Sequence, residues 1–362
     1  MAHLAAPAPA PPAGRIRAID WLRGIAVVVM IQTHALSLLR PDLHAGDFFV
    51  RLQWIDGLVA PSFLFAAGFS LALVQARAAA SAGAQPGARG KRVRKTLRRI
   101  FEVLFVATLM NAMWFPIFRD PKWLLRIDIL QCIGLSLLLA VPLIAGAAGR
   151  PQLLRWGALG LAALAYGLAP LAEPWTGLAG NLFSAKSGSP FPLLPWAGHV
   201  WLGASAGAIC AEKGAGGLAR WLGLLVAAGL LAWFFTDRLA AAYPPHEFWV
   251  TNPANSARRW TQVCAFALVL LAAERWAPAA FRTSVPIRFF EVFGASSLAG
   301  YFFHEALLFF RVFGLSFHRF WGDQATWAQY WGLYALLLAM TFVLTWAADK
   351  VYTAADRRLQ AL

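Results

Sequence analysis

Apolar stretches of about 20 residues recur along the chain between short runs of Lys, Arg, Pro and Gly, and a helix needs about that length to cross a bilayer. Ten segments fit: 18–39, 55–76, 100–118, 128–148, 155–172, 195–212, 219–236, 260–274, 289–311 and 327–348. The fifth, sixth and eighth are short, so the pattern predicts about ten helices, within a range of nine to eleven. Lipid offers the backbone no partners, so each segment is read as a helix that satisfies its own hydrogen bonds. The expected fold is an all-α integral membrane protein, a polytopic helical bundle with both termini on one side.

Composition agrees with this pattern. The chain has 362 residues, 59% hydrophobic and 14% charged, with mean hydropathy +0.58; soluble domains run nearer about 45–50% apolar and 25% charged. The net charge of +15 would suit nucleic acid if the basic residues clustered on a soluble fold. Here they punctuate apolar segments, so no nucleic-acid partner is expected and membrane lipids are the expected surroundings. With an N terminus in the cytoplasm, 20 of the 32 Lys and Arg fall on the inner side and 11 on the outer, Arg23 lying within the first segment. Lys/Arg bias sets orientation, so both ends are expected inside, in a bacterial inner membrane. Segment 77–99 dominates the count, with eight basic residues and no acid, and is read as a basic cytoplasmic loop. Residues 1–14, rich in Ala and Pro, are expected as a disordered tail, 15–352 as one transmembrane domain and 353–362 as a cytoplasmic tail. The leader has no positive charge before Arg15 and no uninterrupted apolar run behind it, so a cleaved signal peptide is not expected.

Cys132, Cys210 and Cys264 lie far apart inside apolar segments with no CxxC spacing, so they read as small core residues, with neither a disulfide nor a metal expected. No phosphate-binding loop or dinucleotide fingerprint is present. The candidate chemistry lies in polar groups at membrane depth, which are costly unless they face protein or water. His34 lies six residues before Arg40, Asp56 five after Arg51, and Asp128 and Gln131 two and five after Arg126. His199 is four residues into the sixth segment, and His304 and Glu305 precede Arg311 by seven and six. All are predicted in the outer half, which implies an outward-open polar cavity. In the first segment, Arg23 and His34 are 11 residues apart, close to three full turns and so on one face, with a rise of roughly 16 Å between them. Asp20 shares that face one turn below. Imidazole suits proton transfer near neutral pH, and a neighbouring carboxylate such as Asp56 or Asp128 would orient it. An inner arginine suits a phosphate-bearing ligand.

The blocks "RIRAIDWLRGIAVVVMIQTH", "APSFLFAAGFSLAL", "LRIDILQCIGLSLLL", "FPLLPWAGHVWLGASAG" and "FGASSLAGYFFHEALLF" resemble those of the heparan-alpha-glucosaminide N-acetyltransferase-like family over residues 15–311. The spacing of Arg23 and His34 is similar to that of the related acyltransferase-3 family. The resemblance implies transfer of an acetyl (acyl) group from cytoplasmic acetyl-CoA to a sugar or glycan acceptor on the outer side. It implies catalytic roles for His34, as general base, and Asp128, with Asp20 and Arg23 holding the CoA end. Asp56, Gln131, His199, His304 and Glu305 are then the expected substrate-binding residues. Where relatives often place a histidine just before the "AP" block, this chain has Asp56 and Gly57. Direct transfer and an acyl-histidine intermediate both fit, and a homodimer is compatible with the pattern. A carrier of a lipid-linked sugar or metabolite is the competing class; it predicts inverted repeats and paired broken helices, and no repeat is visible in the sequence.

Overall fold

The computed structural model describes residues 15–81, 87–114, 123–124, 126–147, 149–310 and 314–360. It is 86% helical, with no strand among those residues. Among the described residues, sixteen α-helices follow in chain order. They are α1 (Arg17–Ala35), α2 (Asp47–Asp56), α3 (Val59–Ser81), α4 (Ala88–Trp114), α5 (Ile129–Ala147), α6 (Pro151–Ala172), α7 (Gly177–Phe183) and α8 (Leu193–Phe234). Then come α9 (Thr236–Ala241), α10 (Phe248–Thr251), α11 (Pro253–Trp276), α12 (Ala279–Arg282), α13 (Val285–Ala295), α14 (Ser297–Leu308), α15 (Phe317–Trp321) and α16 (Trp327–Gln360).

Among the described residues, each apolar segment of the sequence falls mainly on helix. Six helical runs among the described residues are long and apolar enough to cross a membrane: Arg17–Leu38, Asp47–Ser81, Ile129–Ala147, Pro151–Ala172, Leu193–Phe234 and Trp327–Ala354. The segments at 195–212 and 219–236 are the two halves of α8, broken at Gly214, where φ is +65° and a side chain would be strained. The segment at 289–311 is likewise divided, between α13 and α14 at Ser296. The basic stretch 77–99 is not a loop at its ends: α3 runs through Ser81 and α4 begins at Ala88. Helix α4 thus carries its Lys and Arg on its first turns, and the bundle has a basic end, where α1 and α4 start. The first 14 residues lie outside the described residues, and the expected C-terminal tail is helical to Gln360.

Helix α8 is central, packed on α3, α6 and α11, while α1 packs on α13, α11, α3, α14 and α16. In lipid, apolar faces gain little by meeting one another, so association relies on close packing through small residues. That is how α3 meets α8: a Cβ at Gly68 would collide with the Val200 carbonyl, and one at Gly203 or Gly207 with the carbonyls of Phe65 or Phe69. The crossing of α1 and α13 is reciprocal, Gly24 against Phe290 and Gly294 against Asp20.

The start of α1 is held by another helix. Ile16, its N-cap, offers no side-chain acceptor; the free N–H groups of Arg17 and Ala18 donate instead to Glu274 at 3.0 and 2.9 Å. A carboxylate there also complements the positive end of the helix dipole. At the opposite end of the bundle, Glu173, just past α6, accepts from Lys186 Nζ (2.7 Å), Thr251 Oγ1 (2.6 Å) and the Glu247 N–H. Burial alone would raise its pKa, but these donors outweigh burial and hold the carboxyl below its ordinary value. A depressed carboxylate stabilises the fold above its unfolded pKa of about 4.3 and loses that contribution as pH falls through the folded value. Acidification is therefore expected to lower the melting temperature of the wild type more than that of Glu173→Gln, the two curves converging below about pH 4. Parallel curves would contradict this role.

Candidate functional site

His34 lies in the last turn of α1, and α14 brings two partners to it. Its Nδ1 is 2.6 Å from Glu305 Oε1 and 2.9 Å from His304 Nε2. His304 Nδ1 lies 3.0 Å from the Gly300 carbonyl one turn earlier in α14. A carbonyl only accepts, so the proton of neutral His304 sits on Nδ1 and its Nε2 presents a lone pair. The proton between the rings therefore belongs to His34 Nδ1, facing two acceptors. The second ring nitrogen of His34, Nε2, carries a lone pair and has no partner among the described residues. Glu305 is buried, and its Oε2 accepts from the Trp114 indole at 3.2 Å. His304 is fully buried behind His34, their ring centroids 5.0 Å apart.

This group borders a cavity of about 640 Å³ whose wall includes His34, Asp56, Asp128, Gln131, Glu305 and Arg259. Five residues singled out from the sequence thus share one chamber, 270 or more residues apart at the extremes. The geometry revises their relations. The carboxylate that holds His34 is Glu305, in place of Asp56 or Asp128. Asp128 turns one oxygen to the start of α5, accepting from the Ile129 N–H at 2.7 Å. Gln131 accepts from the Asp128 N–H at 3.2 Å and donates to the Ala107 carbonyl at 3.0 Å, so it ties α5 to α4 in the manner of a capping box. Asp56, at the end of α2, is buried with no hydrogen bond to either oxygen, and Thr33 beside it gives its proton to the Val29 carbonyl. An orphaned carboxylate facing a cavity is costly unless a ligand's donors or water meet it.

Three candidates lie elsewhere. His199 is buried among Tyr166 and Trp196, with neither ring nitrogen bonded, outside the cavity wall. Asp20 is paired with both Arg15 and Arg23. Arg23 keeps Nε free of any partner and lines a second, apolar cavity of about 170 Å³ nearer the basic end. The two cavities share Phe63, Ile129, Leu130 and Tyr301. These four side chains form a partition, with Arg23 on one side and His34 on the other. Trp114, which orients Glu305, and Arg259, stacked 4.8 Å over Trp196, were not singled out by sequence.

Residues 15–234 match the family model described as heparan-alpha-glucosaminide N-acetyltransferase, catalytic. The chain belongs to this family. The match covers more than half of the chain and holds Arg23, His34, Asp56, Asp128 and Gln131, whereas α14 with His304 and Glu305 lies beyond it. No curated protein matches the chain. Membership in the heparan-alpha-glucosaminide N-acetyltransferase family makes the chain a membrane acyltransferase, in keeping with its six long apolar helical runs.

Proposed function

We propose that the protein moves an acetyl group from acetyl-CoA, arriving at the basic end, to an amino or hydroxyl group of a sugar acceptor held in the larger cavity, across a bacterial inner membrane. The observation that carries this reading is the His34 pair: Nδ1–H fixed by Glu305, and a free Nε2 on the cavity side. A carboxylate on Nδ1 sets the tautomer that leaves Nε2 basic and stabilises the imidazolium that forms, the logic of hydrolytic triads.

In the step proposed, the acceptor nitrogen or oxygen attacks the thioester carbonyl while His34 Nε2 takes its proton. The carbon–sulfur bond then breaks, and the CoA sulfur leaves with the proton returned from the imidazolium. No covalent enzyme intermediate is required. Asp56, buried without a partner, suits an acceptor ammonium or hydroxyl. Arg23, with one edge on Asp20 and Nε unpaired, suits a phosphate of CoA.

The reading is tested by giving purified protein acetyl-CoA with a panel of amino sugars and following thiol release. Acceptor-dependent release supports transfer; movement of a sugar into vesicles with no thiol release would support a carrier instead. Arg23→Ala is expected to weaken CoA binding by about 10-fold, a charge-assisted hydrogen bond being worth roughly 1.5–3 kcal/mol, with acceptor affinity unchanged. Equal CoA affinity in the variant would remove Arg23 from the donor site.

A further inference from the structure

His304 Nε2 and Glu305 Oε1 present lone pairs to one point, 3.4 Å apart, and that point is occupied by a proton on His34 Nδ1. The three ligand atoms all lie within 4.8 Å of one another. Two imidazoles and a carboxylate are a donor set suited to Zn²⁺, Co²⁺ or Ni²⁺. Zinc bonds of about 2.0–2.2 Å in a tetrahedron place donors roughly 3.3 Å apart. The observed separations of 2.6, 2.9 and 3.4 Å need to open by less than 1 Å for two of the pairs. The outer shell also has the form of a metal site. His304 gives its other N–H to a backbone carbonyl, which fixes the Nε2 lone pair, and Glu305 is steadied by the Trp114 indole; such partners orient metal ligands. His34 and Glu305 border the cavity, which leaves a fourth position open to water.

We propose that His34 Nδ1, His304 Nε2 and Glu305 Oε1 bind one divalent transition-metal ion, and that this ion switches off acetyl transfer. The switch follows from proton counting. A neutral imidazole has one ring proton. Metal on Nδ1 requires that proton to sit on Nε2, so the lone pair that takes the acceptor's proton is lost. The ion thus competes with the Nδ1 proton, and His34 changes from base to ligand by a change of tautomer. The ligands come from α1 and α14, so the ion also adds a coordinate link between two helices that already pack against each other. The inhibitory half rests on the reading of His34 as base, whereas the binding half does not.

The experiment uses the full chain in detergent, purified with a tag that contains no histidine. Zn²⁺ is titrated by calorimetry, and Co²⁺ by the visible absorption of its tetrahedral complexes. The expected result is one ion per chain, released by a chelator, with affinity at least 10-fold lower in His304→Ala and Glu305→Gln. Trp114→Phe, which keeps every ligand and serves if those variants fail to fold, is expected to bind about 10-fold more weakly, the usual scale of an outer-shell loss. His246→Ala, at a half-buried histidine between α9 and α10 whose ring bonds Asn252 and the Pro244 carbonyl, is expected to bind as the wild type does. Absence of binding, or equal affinity in Trp114→Phe and both ligand variants, overturns the site. In the thiol-release assay, inhibition is expected to follow Zn²⁺ occupancy and to reverse with chelator; full activity of the zinc-loaded protein overturns the switch. A chain that binds the ion but shows no transfer under any condition would instead defeat the transferase reading and leave the site standing.

Discussion

His34→Ala is expected to lower acceptor-dependent thiol release by on the order of 10³, with CoA affinity within twofold of the wild type. The magnitude is that of losing a positioned general base, about 10²–10⁴, and the variant opens space at a cavity wall rather than in the packed core. Glu305→Gln is expected to approach the same loss by another route. An amide in place of the carboxylate can no longer stabilise imidazolium, and its NH₂ can turn toward His34 Nδ1 and drive the proton to Nε2. Because base and orienting group act as one unit, the double variant is expected to lose little more than either alone. Additive losses would mean that Glu305 acts independently of His34, through the acceptor. Asp56→Asn provides the contrast: it is expected to raise the acceptor KM with a smaller effect on kcat, since that carboxylate touches neither ring.

The second large effect concerns the partition. Phe63, Ile129, Leu130 and Tyr301 belong to both cavities, so a thioester arriving beside Arg23 has to pass among them to reach His34. Ala67 lines only the smaller cavity, and replacing it by Phe puts an aromatic ring into about 170 Å³ of space without touching the larger chamber. Ala67→Phe is expected to cut kcat/KM for acetyl-CoA by on the order of 10², since displacing a reacting group by about 1 Å costs that much. Acceptor affinity is expected to stay the same. Leu224→Phe, which places the same ring on an exposed face of α8, is the control and is expected to be silent. An Ala67→Phe variant with unimpaired donor kinetics would show that the thioester reaches His34 by another path.

Much of the helical order was legible because hydrophobic length is a strong signal in membrane proteins. Among the described residues the ten apolar segments lie mainly on helices, and even the short one at 260–274 falls in α11. What the pattern missed follows from local chemistry. Apolar length cannot reveal that two segments form one helix broken at Gly214, nor that the charged stretch after Ala88 stays helical. The reading of polar depth brought His34, Asp56, Asp128, Gln131 and Glu305 to one level, and the structure gathers those five at one cavity. Depth says nothing of which pairs touch: Glu305 holds His34 because α14 packs on α1, a contact between residues 270 or more positions apart. Asp128 and Gln131 read from sequence as site residues alone, whereas the start of α5 takes up part of their bonding. His199 shares the sequence signature of the others and is packed between aromatic rings instead. The small residues of "WLGASAG" (201–207) acquire their meaning only in the close crossing of α8 with α3, at Gly203 and Gly207.

The central claim is that donor and acceptor meet at His34 from opposite sides of the partition. It is tested most directly in sealed vesicles holding a single orientation of the protein, with labelled acetyl-CoA added on the basic-end side and an impermeant amino-sugar acceptor enclosed on the other. The account predicts labelled acceptor inside the vesicles, absent with His34→Ala and absent when donor and acceptor exchange sides. Label appearing only on acceptor placed on the same side as acetyl-CoA would contradict it.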